Sequence, residues 1–332
     1  MTEREITVDT KDPVTLETGM RDRNGTIRVR VDPKCEQVSV QVTTSDPTGP
    51  SADAIAAGTL QWDEATRRLT VDIEAPGIDP RSGSKVYVTA VVPPDSNLDA
   101  HTHGAGVEVT GPEGLADAAV ETTSGSVTID EAATAYAKTV DGPVRISYAD
   151  KIVVRSEGDF EQSFDHVAIG RAAEIDAATT GGRVRIDEVT GKLAVKTDRG
   201  PVDIDSLSAD SSEVRTRSGN IDVRVTGGRR HQFTSGSGVA TVTVEYTAPR
   251  DVQVQVSDIR GPGRAHLSED FVERYRREDE GPTHAGGGAA AGAGAAPGAA
   301  AAAATAAPVA APVAVVKQGV DRPRRDPGGH TR

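Results

Sequence analysis

The sequence reads as an all-β chain: a β-solenoid, or single-stranded β-helix, with coils of about 19 residues, a C-terminal capping helix and a disordered tail. Three observations lead there. A Thr-x-x-Gly-x-Val/Ile-x-Val/Ile motif recurs through the middle of the chain, apolar residues alternate with polar ones on both sides of its Gly, and the composition changes abruptly near the C-terminus.

The motif begins at Thr102 (THGAGVEVT), Thr122 (TTSGSVTID), Thr139 (TVDGPVRIS), Thr179 (TTGGRVRID), Thr197 (TDRGPVDID) and Thr216 (TRSGNIDVR). Its turn position is held by Ala105, Gly125, Gly142, Gly182, Gly200 and Gly219, with steps of 20, 17, 40, 18 and 19. The step of 40 contains one irregular coil near Gly158, with Arg155 and Phe160 at the Thr and Val places. Upstream of the Thr, apolar residues sit two and four positions back, as Val195 and Leu193 do before Thr197. Downstream, Val202 and Ile204 alternate with Pro201, Asp203 and Asp205. Period 2 on both sides of a Gly means two short strands, each with one buried face. A Gly fixed at the turn fits a positive φ. Strands of about five residues cannot make a core alone; stacked about 4.8 Å apart they bury a continuous Val/Ile/Leu column. The Thr residues then form an inward ladder at the strand ends, their hydroxyls bonding one another or the turn backbone.

The remaining chain is divided around these repeats. Residues 1–262 form the solenoid, with irregular N-terminal coils over 1–95, regular repeats over 96–240 and closing strands over 241–262. Residues 25–31, 38–42, 69–73 and 86–92 alternate like strands. Over 263–281, Ser268 suits a helix cap, and Leu267, Phe271 and Tyr275 form a stripe at i, i+4, i+8. Such a helix would cover the open solenoid end, whose backbone otherwise recruits another chain. Residues 282–332 form the tail, in which Ala285 to Val316 are drawn only from Ala, Gly, Pro, Val and Thr.

Charge narrows the partners. The chain carries −13, the tail about +3 of its own, so the body is strongly acidic and repels nucleic acid and anionic lipid. Aromatics at 3% are too few for base stacking. The single cysteine, Cys35, excludes a disulfide framework and a multi-thiolate metal site. The segment MTEREITVDTKDP lacks the apolar core of a signal or anchor, and the Gly- and Pro-rich tail is a poor spanning helix, so the expected compartment is the cytoplasm, without direct membrane insertion.

The stretch VTAVVPPDSNLDAHTHGAGVEVTGPEGLADAAVETTSGSVTI resembles the bacterial "putative adhesin" domain of unknown function. In that family strand-rich N-terminal coils leave through a Val-Pro-Pro exit, here Val92, Pro93 and Pro94, into Thr-x-x-Gly-x-Val repeats. The resemblance covers about residues 5–260. It implies an adhesin-like β-solenoid and a link to envelope stress or surface functions, and it carries over no catalytic residues.

Candidate chemistry is sparse. Asp187, Asp203 and Asp205 form a carboxylate group on the outward face, which could hold Ca²⁺ or serve a glycan-cleaving β-helix. They lie on a flat strand without a pocket, and the Ca²⁺-solenoid repeat is missing, so a solvated surface is the better reading. His101 and His103, two apart, share one face and are weak candidates for Zn²⁺ or Ni²⁺, with no third ligand in view. His166 and His231 fall in connectors. No nucleophile elbow, P-loop, dinucleotide fingerprint or HExxH is present. The expectation is therefore a monomeric, non-catalytic scaffold or interaction module without a cofactor, for a protein or polysaccharide partner. A glycan-acting or glycan-binding β-helix protein and a polymer-forming solenoid are the alternatives.

Overall fold

The computed structural model describes residues 3–21, 24–46, 48–74, 85–158, 165–245, 252–258, 264–267 and 315–317. The N-terminal part comprises β1 (Glu3–Val8), β2 (Thr15–Arg21), β3 (Asn24–Val31), β4 (Val38–Thr44), helix α1 (Pro50–Ala57), β5 (Thr59–Asp63), β6 (Arg68–Glu74) and β7 (Lys85–Val92). The coils continue with β8 (Asn97–Thr102), β9 (Gly106–Thr110), β10 (Leu115–Thr122), β11 (Val127–Thr139), β12 (Val144–Ser156), β13 (Asp165–Gly181) and β14 (Arg183–Arg199). They end with β15 (Val202–Leu207), β16 (Ser211–Thr216), β17 (Ile221–Val225), β18 (Arg230–Ser235), β19 (Ala240–Val244), β20 (Gln253–Asp258), β21 (Arg264–Leu267) and β22 (Val315–Lys317).

Two parallel sheets face each other across a core one coil deep. The threonine sheet runs β6, β2, β8, β10, then through the second halves of β11 to β14, and on to β16, β18 and β20. The valine sheet runs β7, β3, β9, the first halves of β11 to β14, then β15, β17, β19 and β21. Alternation is what permits this: Val109, Ile129, Ile146, Ile169, Ile186, Ile204, Val223 and Val242 stack in register as one inward column, each at most 2% exposed. β-branched side chains suit that half-buried pleated surface, and burying each is worth about 1.5–3 kcal/mol. The fold class and the expected strands are as the sequence indicates, including those over 25–31, 38–42, 69–73 and 86–92.

The stacking order is not the chain order. β2 and β3 form the first coil in the chain, yet they lie between the β6/β7 coil and the β8/β9 coil. The chain leaves that coil, builds the N-terminal cap, lays down β6 and β7, and re-enters past β2. The exit at Val92–Pro94 is held by buried Ser96, whose hydroxyl donates to the Pro93 carbonyl at 2.8 Å and accepts from the Val14 amide at 3.1 Å. The cap itself is antiparallel: β4 on β7, β1 on β4, and β5 on β6. α1 begins at Pro50, where a missing N–H costs nothing, and buries Ala54 and Ile55. Arg4 of β1 donates to the Ile55 carbonyl at 3.0 Å, tying strand to helix end.

Leu267, expected in the stripe of the C-terminal helix, belongs to a strand, while Ser268, Phe271, Tyr275 and the rest of that helix lie outside the described residues. Arg264–Leu267 is a strand paired in parallel with β19, with Leu267 opposite Val244. The tail is not wholly without structure either: Val315–Lys317 pairs in parallel with β20, two β-branched residues meeting a free strand edge.

The threonine ladder is present and longer than the motif suggests. Thr102, Thr122, Thr139, Ser156, Thr179, Thr197, Thr216 and Ser235 are in register, so Ser156 and not Arg155 holds the place in the irregular coil. The hydroxyls serve the turn backbone. Thr122, Thr139 and Ser235 accept from the amides of Gly125, Gly142 and Gly238 at 2.9, 2.7 and 2.8 Å, and Thr102 donates to the Ala105 carbonyl at 2.9 Å. Thr179 and Thr197 are buried without a hydroxyl partner among the described residues.

The turn glycines are required for a different reason than a positive φ. Among the six turn positions only Gly182 has one, at 77°. At Gly125, Gly142, Gly200 and Gly219 the coils approach too closely for a side chain. A Cβ on Gly142 would lie 1.8 Å from the Gly125 carbonyl oxygen, on Gly200 2.0 Å from that of Gly182, and on Gly219 2.0 Å from that of Gly200. Replacing Gly219 by Ala is therefore expected to cost about 2–3 kcal/mol, measured by chemical denaturation. Gly219→Asn should be at least as damaging, although Asn tolerates a left-handed turn. Gly227→Ala, whose nearest neighbour is the Ser208 side chain at 3.1 Å, should cost less. A Gly219→Asn protein as stable as wild type would refute the close-approach explanation.

Candidate functional site

Many charges on the flats of the two sheets are paired with each other. Arg183 pairs with Asp203 at 3.1 Å, and Arg185 bridges Asp187 and Asp205 at 3.2 Å each. Those carboxylates hold the Arg185 guanidinium firmly charged, Asp187 contributing most. The suggested carboxylate group is thus laced by two arginines instead of being left to a cation. Arg155 with Asp176, Arg171 with Glu188 and Arg224 with Glu245 repeat the pattern. Opposite charges on neighbouring coils meet at the strand spacing, which is where cross-strand pairs interact.

His101 and His103 do share the outward face of the threonine sheet's end. His101 places Nε2 3.0 Å from Asp99 and Nδ1 4.0 Å from Glu121. No group of three His, Cys, Asp or Glu side chains able to hold a metal occurs among the described residues.

The titratable groups with displaced behaviour are turned inward. His166 is buried, its Nε2 against the Ser156 hydroxyl, and burial pulls its pKa down to about 4, with Asp141 opposing. His231 is buried and doubly bonded, Nδ1 to Ser212 Oγ and Nε2 to the Gly227 carbonyl, each at 2.9 Å. Burial lowers its pKa too, the Gly227 carbonyl opposing, and its ring stacks on Phe233 with centroids 6.4 Å apart. These histidines are polar rungs in apolar columns. Cys35 donates to the Gln37 carbonyl at 3.1 Å, and burial pushes its thiol up, the opposite of an activated nucleophile.

What remains open is the edge formed by the stacked Thr-x-x-Gly turns. Residues on both sides of the threonines border two polar clefts there. One, of about 400 Å³, is bordered by Arg21, His101, His103, Glu121 and Lys138. The other, of about 610 Å³, is bordered by Thr180, Asp198, Arg199, Arg217, Ser218 and Ser237. A third cleft, of about 730 Å³, lies at the N-terminal cap beside Ile6, Val8 and Trp62. The turn positions are those the repeat leaves variable. Their chemistry, two arginines on successive coils of an acidic chain, was written in the sequence but hidden by the attention that the invariant positions draw.

The profile of the family described as Toastrack DUF4097 matches residues 4–287. Among solved structures, the chain is similar to a "putative lipid binding protein" from Parabacteroides distasonis, with 12% identity, a TM-score of 0.44, and coverage of 80% of this chain and 96% of that one. A "putative adhesin" from the same organism gives 12% identity, a TM-score of 0.41 and coverage of 80% and 96%. Another from Parabacteroides merdae gives 10% identity, a TM-score of 0.29 and coverage of 80% and 91%. No curated protein matches the chain.

The buried histidines make stability depend on pH. The folded protein holds His166 neutral down to about pH 4, whereas the unfolded chain takes up that proton near pH 6.5. Between these values the unfolded state binds more protons, so stability falls as pH falls from 6.5 to about 4 and the effect levels off below. Denaturation at stepped pH should show His166→Gln losing less stability over this window than wild type does. Parallel losses would mean that His166 is not held neutral.

Proposed function

The chain belongs to the Toastrack DUF4097 family, and from that premise we propose that it is a non-catalytic scaffold or interaction module whose binding surface is the turn edge. The observation that carries the proposal is where unsatisfied polarity lies. Many charges on the flats pair with a neighbour one coil away, whereas the turn edge opens into polar clefts, one of them bordered by the exposed Arg217.

Catalysis needs titratable groups within reach of a substrate and a site that excludes water. The two histidines with displaced pKa are in the core, and the outward carboxylates are engaged by arginine. This disfavours the glycan-cleaving alternative. The polymer-forming alternative is disfavoured by the antiparallel cap, which ends parallel stacking at the N-terminal side; the module works as a monomer.

The test is comparative capture from the native cell extract. Immobilised wild type, Arg217→Glu on the turn edge and Lys196→Glu on the threonine flat carry the question, since the two variants change charge equally. Partners should be kept by Lys196→Glu and depleted about tenfold by Arg217→Glu. Equal retention on all three would sink the assignment of the edge.

A further inference from the structure

We propose that the larger turn-edge cleft is a binding site for acidic saccharides, a uronic-acid residue seating its carboxylate on Arg217 and its hydroxyls on Asp198 and the serine row. This names the ligand class of the surface assigned above and rests on that assignment.

Arg217 is the cation this site offers. Arg183, Arg185, Arg155, Arg171 and Arg215 on the flats hold carboxylates, and Arg199 in the cleft has a partner of its own. Arg217 is exposed and makes no ion pair or side-chain hydrogen bond among the described residues. The coil above it carries Gly236 in the same row, where a Cβ would come 2.4 Å from the Arg217 carbonyl oxygen. The same absence that permits stacking leaves the guanidinium uncovered on that side. A planar fork of N–H donors matches a carboxylate in two-point geometry.

The other lining groups choose the remainder of the ligand. Asp198 is one coil below Arg217 in the same row, so the ligand group that faces it is a hydroxyl donor, with any further carboxylate turned to solvent. Ser218 donates to the Asp198 carbonyl at 3.2 Å and Ser237 to the Arg217 carbonyl at 3.4 Å, which fixes both hydroxyls and leaves their lone pairs as acceptors. Thr180 adds a fourth coil, so the cleft spans about 14 Å along the axis, three strand spacings. That is the length of a short oligosaccharide.

An acidic peptide fits less well. The backbone of these turns is already spent between coils: Arg217 N to Thr197 O at 3.0 Å, Ser218 N to Asp198 O at 2.9 Å and Gly236 N to Thr216 O at 2.9 Å. No strand edge is free for main-chain pairing, and no apolar or aromatic side chain lines the cleft. The absence of a stacking platform also sets the strength: roughly millimolar for one short oligomer.

Isothermal titration of the full chain with trigalacturonate tests this, with a neutral trisaccharide, inorganic phosphate and triglutamate as comparators. Trigalacturonate should bind saturably and more tightly than all three. Arg217→Gln should weaken it about tenfold or more, and Arg145→Gln, an equal charge change on a flat, should not. Asp198→Asn should narrow the gap between trigalacturonate and phosphate. Thermal melts of all variants should match wild type, which excludes misfolding as the cause. Phosphate or triglutamate binding as well as the sugar acid would overturn the ligand class. Arg217→Gln binding like wild type, or no binding of trigalacturonate at all, would overturn the site. Partners captured through the turn edge without any uronate affinity would overturn this inference and leave the interaction module standing.

Discussion

Everything in this solenoid hangs on one distance, the strand spacing of about 4.8 Å at which successive coils must stack. At the turns that spacing brings the backbone of one coil against the carbonyl of the coil below, with room for a hydrogen atom and nothing larger. The serial contact runs from Ala105 through Gly125 to Gly142, and again from Gly182 through Gly200 and Gly219 to Gly238. Once the turns are held at that height, the inward valines and isoleucines meet in register, and the threonine hydroxyls reach the turn amides just above them. A coil that swelled at its turn would lift both flats and open the column.

The same spacing sorts the surface into two kinds. On the flats, side chains of adjacent coils stand where opposite charges pair, and the chain fills them that way, as with Arg185 and Asp205. Such exposed pairs contribute little stability individually, but they leave few charges seeking a partner. At the turns, side chains fan outward, and neighbours such as Gly236 cannot supply one. The turn edge is thus where the surface opens into polar clefts. The proposed binding surface lies on that edge, where Arg217 is exposed.

Much of this was legible because period and alternation are written directly in the chain: the Thr and Gly spacing gives the coil, and Val202 and Ile204 against Asp203 give the inward face. Three features were not. The glycine requirement is the same whether a turn needs a positive φ or a close approach, so sequence could not separate the two, and the structure favours the second at Gly200 and Gly219. Ser156 and Ser235 hold the threonine place in the ladder while breaking the pattern that identifies it, and of the two Ser235 serves the turn amide. At Leu267 a strand of alternating residues also fits one edge of a helical stripe, and pairing with β19 decides between them. The site was the least legible part, since Asp198 and Arg217 occupy positions defined by being variable.

The order of the N-terminal coils carries a consequence for how the molecule assembles. Downstream, each coil pairs with residues about 19 positions away, as Thr216 does with Ser235, so its loop closes cheaply and the stack can grow one coil at a time. Leu16, by contrast, stands between Leu69 and Leu98, 53 and 82 residues on. The β2/β3 coil cannot be clamped until the cap and the β6/β7 coil have formed and the chain has returned, and contacts at such separation are slow to form. Residues 3–110 thus behave as one interlocked unit, whereas the regular coils are a linear array resting on it. The interlock gives the stack a fixed start, covered by the antiparallel strands of the cap.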